Sequence, residues 1–241
     1  MIDIHCHLIP GIDDGAKVLE ESLSLLELAV SDGIQRMVFT PHIHLGRFNN
    51  TKSIIEKEFS RLKQAVTDAG IDIELASAAE VRLDAEIIEL LAAEQLPLYG
   101  EYQGRRYMLL ELPHSHIPQG TSALVAYLIK RNIIPVIAHP ERNRELMKNP
   151  ERIKPLARMG CWFQLTAGSI TGQFGDKCQK LSLQYLEQGL VNIVASDAHN
   201  MKHRPPILSK ARDQVVALMG EKQAQALFWD NPYNITASLF H

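Results

Sequence analysis

The feature that most constrains this chain is an alternation that recurs along its length. A short apolar stretch of strand character is followed each time by a stretch of helical character. The spacing predicts seven strands, at 2–7, 34–40, 71–81, 107–112, 133–138, 161–167 and 192–195. Helices are expected at 18–32, 51–69, 85–94, 121–131, 151–159 and 177–188, with two more, 206–219 and 221–229, in the tail. Strictly alternating strands and helices imply a parallel sheet. Histidines or carboxylates stand at the C-terminal ends of strands one, two, three, four, five and seven, where the active site of a barrel is assembled. An open doubly wound sheet does not naturally bring six strand ends to one spot, whereas a closed barrel does. A length of 241 residues suits one such α/β domain over 1–241, and no composition shift or low-complexity run divides it.

The first stretch carries the densest chemistry. In Met1-Ile-Asp-Ile-His-Cys-His, Ile2, Ile4 and Cys6 alternate with Asp3, His5 and His7, the period of a strand. One face is therefore apolar, and the other presents two imidazoles i, i+2, enough to hold one metal. Pro10-Gly11 breaks the strand and leads to the turn Asp13-Asp14-Gly15, which sets carboxylates just past its end. The two aspartates are not distinguished by their spacing, and one of them serves equally well as a turn residue bonding its own backbone. Further along come Thr40-Pro41-His42, Glu80, Glu111, His139-Pro140-Glu141-Arg142 and Ser196-Asp197-Ala198-His199. A glutamate inside a buried strand costs free energy unless it is partnered, so Glu80 and Glu111 are read either as ligands or as ion pairs with Arg82 or Arg106. The 161–167 strand shows no obvious ligand. Mixed imidazole and carboxylate donors suit manganese, iron or zinc rather than a thiolate-loving ion.

Composition narrows the function. The net charge of −3 and the lack of a Lys/Arg block exclude the electrostatic footprint of a nucleic-acid binder. Three cysteines at irregular spacing argue against a disulfide framework or a thiolate zinc site and fit a reducing cytoplasm, the expected location. No signal-peptide pattern opens the chain, and no apolar run reaches the roughly 18 residues of a membrane span. Phosphocysteine chemistry needs a Cys with an Arg six positions on, and those positions here are Ile12, Ala167 and Gln184. Cys6, Cys161 and Cys178 are therefore expected to be structural, Cys6 pointing away from His5 and His7.

Taken together, His5-Cys-His7, Asp14, Thr40-Pro-His42, Glu80, Glu111, His139-Pro-Glu-Arg142 and Asp197-Ala-His199 with Arg204 resemble the polymerase and histidinol phosphatase (PHP) superfamily of metal-dependent phosphoesterases. Within it, the opening Asp-Ile-His-Cys-His-Leu-Ile-Pro-Gly-Ile-Asp-Asp-Gly and the late Ser-Asp-Ala-His-Asn with Arg204-Pro-Pro are similar to bacterial protein tyrosine phosphatases of capsule and exopolysaccharide operons. The resemblance covers essentially the whole chain. It implies a distorted (β/α)7 TIM-like barrel, the PHP fold, and three divalent metal ions, usually manganese, with iron or zinc as alternatives. Carried over residue by residue, it implies that His5, His7, Glu80 and Asp197 hold one metal. Glu80, Glu111 and His139 hold a second, and Asp14, His42 and His199 a third; the resemblance alone selects Asp14 over Asp13. Arg142 and Arg204 match the two phosphate-binding arginines, for which surface ion pairing is the plainer reading. His44, His114, His116, His203 and His241 fill no position in the pattern. Arg47, in the loop after strand two, is a candidate substrate contact at the rim of the site.

The function so implied is hydrolysis of phosphotyrosine on the tail of a bacterial tyrosine kinase that controls polysaccharide synthesis. Three divalent ions outweigh the four carboxylates, and two arginines leave the site positive, which suits a phosphate dianion. A metal-bridging hydroxide is expected to attack phosphorus in line while metals and arginines stabilise the equatorial oxygens. A tyrosine leaving group, with a pKa near 10, makes a dedicated general acid dispensable. The rival substrates are small phosphate esters such as histidinol phosphate or a nucleotide. From another class, the domain could be a scaffold that keeps metals only for folding, although every ligand position is filled.

Overall fold

Ile133-Ile-Pro-Val-Ile-Ala138 is apolar throughout and buried throughout, as a strand covered on both faces must be. The computed structural model describes residues 1–240 and places this strand in the middle of a parallel sheet; His241 lies outside the described residues. Among the described residues there are ten strands: β1 (Ile2–Cys6), β2 (Arg36–Phe39), β3 (His42–Ile43), β4 (Glu74–Ser77), β5 (Glu80–Arg82), β6 (Tyr99–Tyr102), β7 (Arg105–Glu111), β8 (Ile133–Ala138), β9 (Trp162–Thr166) and β10 (Ile193–Ala195). They form an α/β fold with two sheets, ordered β1-β2-β4 and β10-β9-β8-β7-β5-β3, in which every neighbouring pair is parallel. β6 alone runs antiparallel, on β7.

The strand expected over 34–40 ends at Phe39, and the one expected over 71–81 is split in two. Pro41 has no N–H to continue a ladder, so β2–β4 pairing stops and resumes one step on as β3–β5, bridged by Ala78 N to Phe39 O (2.8 Å) and Glu80 N to Pro41 O (3.2 Å). The break has a consequence for the site, because the resumed register sets His42 directly beside Glu80. At the other edge, the Asp197 N–H donates to His5 O and the His7 N–H to Ala198 O, both at 2.8 Å, so the end of β10 lies parallel to the end of β1.

Period-two alternation divides the apolar side chains. Met108 and Leu110 join the larger buried cluster, which packs against helices and includes Leu25, Leu26, Phe163 and Leu181; Tyr107 and Leu109 join a smaller one with Val136, Ile193 and Ile4. Glu111 shares the parity of Tyr107 and Leu109, one step beyond them. The helix expected over 18–32 is Leu19–Ser31, and it buries Ser22, Leu25, Leu26 and Ala29. Lys52–Asp68 follows its expectation, with Thr51 capping the Ile54 N–H. Composition did not announce β6: it returns on β7 through Gln103-Gly104, both at positive φ, the backbone of a two-residue hairpin turn. The tail also differs. After Ser209–Met219 and Glu221–Gln225, a π-helical turn (Ala226–Asp230) leads into a helix, Asn231–Thr236, with Pro232 in its first turn where a missing N–H costs nothing.

Candidate metal centre

All nine residues expected to bind metal meet at the C-terminal ends of the parallel strands. Their donor atoms fall into four overlapping groups, each within 4.8 Å: His7, Asp14, His42 and His199; His5, His7 and Glu80; His5, His139 and Asp197; His42, Glu80 and Glu111. The Asp14–His42–His199 set thus recurs with His7 added. Glu111 stands with Glu80 and His42, while His139 reaches Glu80 Oε1 at 2.9 Å. Asp14 alone among the nine is appreciably exposed.

The orientation of the imidazoles is set from behind. His7 Nδ1–H donates to Asp13 Oδ2 at 2.8 Å and His5 Nδ1–H to Gln164 Oε1 at 2.7 Å. His199 Nδ1–H donates to the Asp197 carbonyl at 3.0 Å. Each bond fixes the tautomer that leaves Nε2 with its lone pair toward the centre. Asp13 also accepts from the Gly15 N–H (2.9 Å) and the His42 N–H (3.1 Å), so it is both the turn residue anticipated and the clamp that joins the first loop to β3. Asp13 and Gln164 are thus functional residues that the sequence reading missed. A lone glutamine inside the apolar run Trp-Phe-Gln-Leu-Thr was the available signal for the second. His139 and Asp197 both adopt positive φ, 33° and 53°, a strained backbone for non-glycine residues that aims their side chains inward.

The donor set fits divalent cations. His5 Nε2 and His7 Nε2 lie 3.2 Å apart, each 3.3–3.4 Å from Glu80 Oε2 and Asp197 Oδ1, separations of donors that share an ion about 2 Å from each. Buried polar atoms are rarely left unpartnered, yet His42 Nδ1, Glu80 Oε2, Asp197 Oδ1 and His199 Nε2 have no hydrogen-bond partner among the described residues. Protonation energetics point the same way. Burial opposes ionisation of Glu80 and Asp197, but for Glu80 the charges of His5 and His42, and for Asp197 those of Arg204, His5 and Arg142, hold both well below the usual carboxylate range. Burial lowers His42, and Glu80 overrides it to push the imidazole up to about 9. His5 and His7 are raised in the same way, against burial, by Glu80 and Asp197 and by Asp13 respectively. The cage thus draws positive charge onto its own imidazoles. His139 and His199 go the other way, to about 3 and about 4, through burial and, respectively, Arg142 and His7.

Arg142 and Arg204 both donate to Oδ2 of Asp197. They are not surface ion pairs: both are largely buried at the wall of a pocket of about 90 Å³, which Asp14, His42, Glu80 and Glu111 also line. Arg204 Nε has no hydrogen-bond partner among the described residues. Glu111 combines its two anticipated roles, pairing with Arg82 at 2.9 Å while facing Glu80 and His42. Arg47 stands exposed at the rim, 3.7 Å from Asp14 and over the Phe48 ring, which itself stacks on His42. His44 and His114 also line the rim, whereas His116 and His203 do not. Cys6 is buried, with its thiol toward the Val38 carbonyl, and Cys161 and Cys178 are buried free thiols.

The fold and this cage define a class: α/β proteins that gather imidazoles and carboxylates able to hold metal at the C-terminal ends of their strands. Comparison with known proteins narrows it. A lactonase from Listeria monocytogenes, 13% identical with a TM-score of 0.55, shares the fold. A chain from the crystal structures of YwqE of Bacillus subtilis and CpsB of Streptococcus pneumoniae, described as metal-dependent tyrosine phosphatases, superimposes with a TM-score of 0.86 at 34% identity, covering 100% of this chain and 94% of that one. The tyrosine-protein phosphatase YwqE of Bacillus subtilis is 37% identical over 204 residues, 85% of this chain and 79% of that protein. The tyrosine-protein phosphatase CpsB of Streptococcus pneumoniae is 34% identical over 241 residues, 98% of each. The family model for capsular polysaccharide synthesis, CpsB/CapC, matches residues 1–237, and the chain belongs to that family.

Proposed function

We propose that this chain is a metal-dependent protein tyrosine phosphatase of capsular polysaccharide synthesis. The observation that carries the reading is the cage of nine imidazoles and carboxylates with two arginines converging on it, in a chain of the CpsB/CapC family. His5, His7, Glu80 and Asp197 would hold one divalent ion, Glu80, Glu111 and His139 a second, and Asp14, His42 and His199 a third, with manganese the favoured metal. Such ions supply Lewis acidity toward phosphoryl oxygens and lower the pKa of water.

The protein's own groups then have separate tasks. Arg142 and Arg204 present guanidinium N–H groups, the unpartnered Nε of Arg204 among them, to equatorial phosphoryl oxygens. Asp13 and Gln164 hold His7 and His5 in register, and Arg47 meets the substrate at the rim. A pocket of about 90 Å³ is far smaller than one that encloses a whole small-molecule ligand, so it takes the phosphoryl group and leaves the rest of a protein substrate outside. We further assign the substrate as the phosphotyrosine tail of a bacterial tyrosine kinase and the setting as the cytoplasm. No described helix is long and apolar enough to cross a membrane. The seven parallel strand directions are read as one distorted (β/α)7 barrel, a single PHP domain, supported by the bonds between β1 and β10.

The test compares kcat/KM of manganese-loaded protein on a phosphotyrosine peptide, histidinol phosphate and a 3′-phosphonucleotide, with and without chelator. The expected result is preference for the peptide and loss of turnover on chelation. Preference for either small ester, or full activity in chelator, overturns the reading.

A further inference from the structure

The fold carries a second concavity whose chemistry the phosphoryl pocket does not share. It is a groove of about 630 Å³ with Arg144, Lys148, Lys177 and Lys180 along its sides and Met147 and Leu181 in its floor. All four cations are exposed, and among the described residues no acidic side chain lines the groove. Among the described residues none of the four makes an ion pair, whereas the neighbouring Arg152 and Lys154 are paired with Glu145 at 2.8 Å and Glu151 at 2.6 Å. In a chain of net charge −3, four uncompensated cations around one apolar floor concentrate positive potential locally.

The groove is also tied to the catalytic pocket. One wall is the helix Arg144–Lys148, which begins two residues after Arg142 and is capped by Asn143, whose side chain accepts from the Glu145 and Leu146 N–H groups. The other is the helix Asp176–Glu187, which begins two residues after Phe174, the ring stacked 4.9 Å from the Arg142 guanidinium. Both walls therefore begin within two residues of the Arg142–Phe174 contact.

We propose that the groove binds an acidic segment of the substrate polypeptide flanking the phosphotyrosine, and that Lys148 and Lys180 set this preference. The inference rests on the phosphatase reading above. Carboxylate side chains pair with the lysines, and the aliphatic parts of the segment lie on Met147 and Leu181. Neither lysine touches the metal cage, so the groove acts on peptide binding and leaves the chemical step alone.

The test uses the metal-loaded full chain, the double variant Lys148→Glu/Lys180→Glu, and three substrates: a phosphotyrosine peptide flanked by Asp and Glu, the same peptide with Ser and Gln flanks, and para-nitrophenyl phosphate. Wild type is expected to favour the acidic peptide. The variant is expected to lose about tenfold in kcat/KM on it, mainly through KM, with turnover of para-nitrophenyl phosphate within about twofold of wild type. Raising the salt concentration should erase the wild-type preference. An unchanged ratio of acidic to neutral peptide in the variant overturns the groove assignment and leaves the phosphatase reading intact. Failure of the wild type to hydrolyse any of the three substrates overturns both. Loss of para-nitrophenyl phosphate turnover in a variant that keeps its metal content and melting temperature also overturns it, by showing that the lysines serve the chemistry.

Discussion

Asp13 shows how much of the site is decided by one side chain behind a ligand. Its carboxylate, buried yet held down to about 2 by His7, bonds the imidazole of His7 and the N–H groups of Gly15 and His42. Asp13→Asn is expected to weaken metal affinity about 10- to 100-fold while the circular dichroism spectrum stays native; unchanged affinity in a metal titration would contradict that role. The histidine charges give a second expectation. Ligation needs neutral imidazole, and the ordinary competition with protons starts near pH 6.5. Since His42 is raised to about 9, protons compete at His42 up to that pH, and metal affinity should keep rising between pH 6.5 and about 9. The same shift has the opposite sign for the metal-free fold. The stability His42 contributes there is complete below pH 6.5 and is lost as pH rises through about 9. Melting temperatures of chelated and metal-loaded protein should therefore diverge across that window, and parallel curves would refute the assignment. Four of the nine candidate ligands were legible as i, i+2 pairs at strand ends, His5 with His7 and Asp197 with His199, and the others as histidines or carboxylates closing further strands or in the loop after the first. Asp13 was not, because a neighbouring aspartate with the same turn chemistry masked it.

At the scale of elements, the site depends on loops held tightly against the strands. Gly15 belongs to the first loop, and a Cβ there would stand 1.8 Å from the His7 carbonyl oxygen, which is backbone and cannot yield. Gly15→Ala must therefore displace the turn that carries Asp13 and Asp14, and is expected to abolish metal binding as well as lower stability. Glu141 ties the end of β8 to β9: fully buried, it accepts from the Thr166 N–H at 3.0 Å and Ser169 Oγ at 2.7 Å. Glu141→Ala should cost about 1–3 kcal/mol in denaturant unfolding, the penalty of stranding buried donors. The order of strands and helices was readable because periodicity and glycine stops are local signals. The split of the 71–81 strand was not, because it arises from pairing with a neighbour interrupted at Pro41. β6 escaped for a similar reason: Tyr-Gly-Glu-Tyr acquires strand structure by lying on β7, with Gly100 admitted by the close approach of Ser238 and Ile235.

For the molecule as a whole, the decisive contact is where its first and last parallel strands meet. Asp3 accepts from the Ser196 N–H at 3.0 Å and Ser196 Oγ at 2.5 Å, joining the first strand to the last beside the bonds of His5 and His7 to Asp197 and Ala198. That junction brings Asp197, distant in sequence, onto His5 and His7. Asp3→Ala should therefore lower stability and metal affinity together, and loss of one without the other would show that the junction is not what assembles the cage. Burial raises Asp3 to about 6, so what its carboxyl adds to stability is complete below about pH 4 and declines as pH rises through 6; the deficit of the variant should be larger at pH 4 than at pH 7. No window of sequence reveals such a junction, which is why the convergence was expected from the order of strands and the family resemblance, while the residues that lock it were not. The most direct test of the account is anomalous diffraction at the manganese edge from crystals of the metal-loaded protein. The account predicts strong peaks enclosed by His5, His7, Asp14, His42, Glu80, Glu111, His139, Asp197 and His199; a map with no anomalous density among these side chains would contradict it.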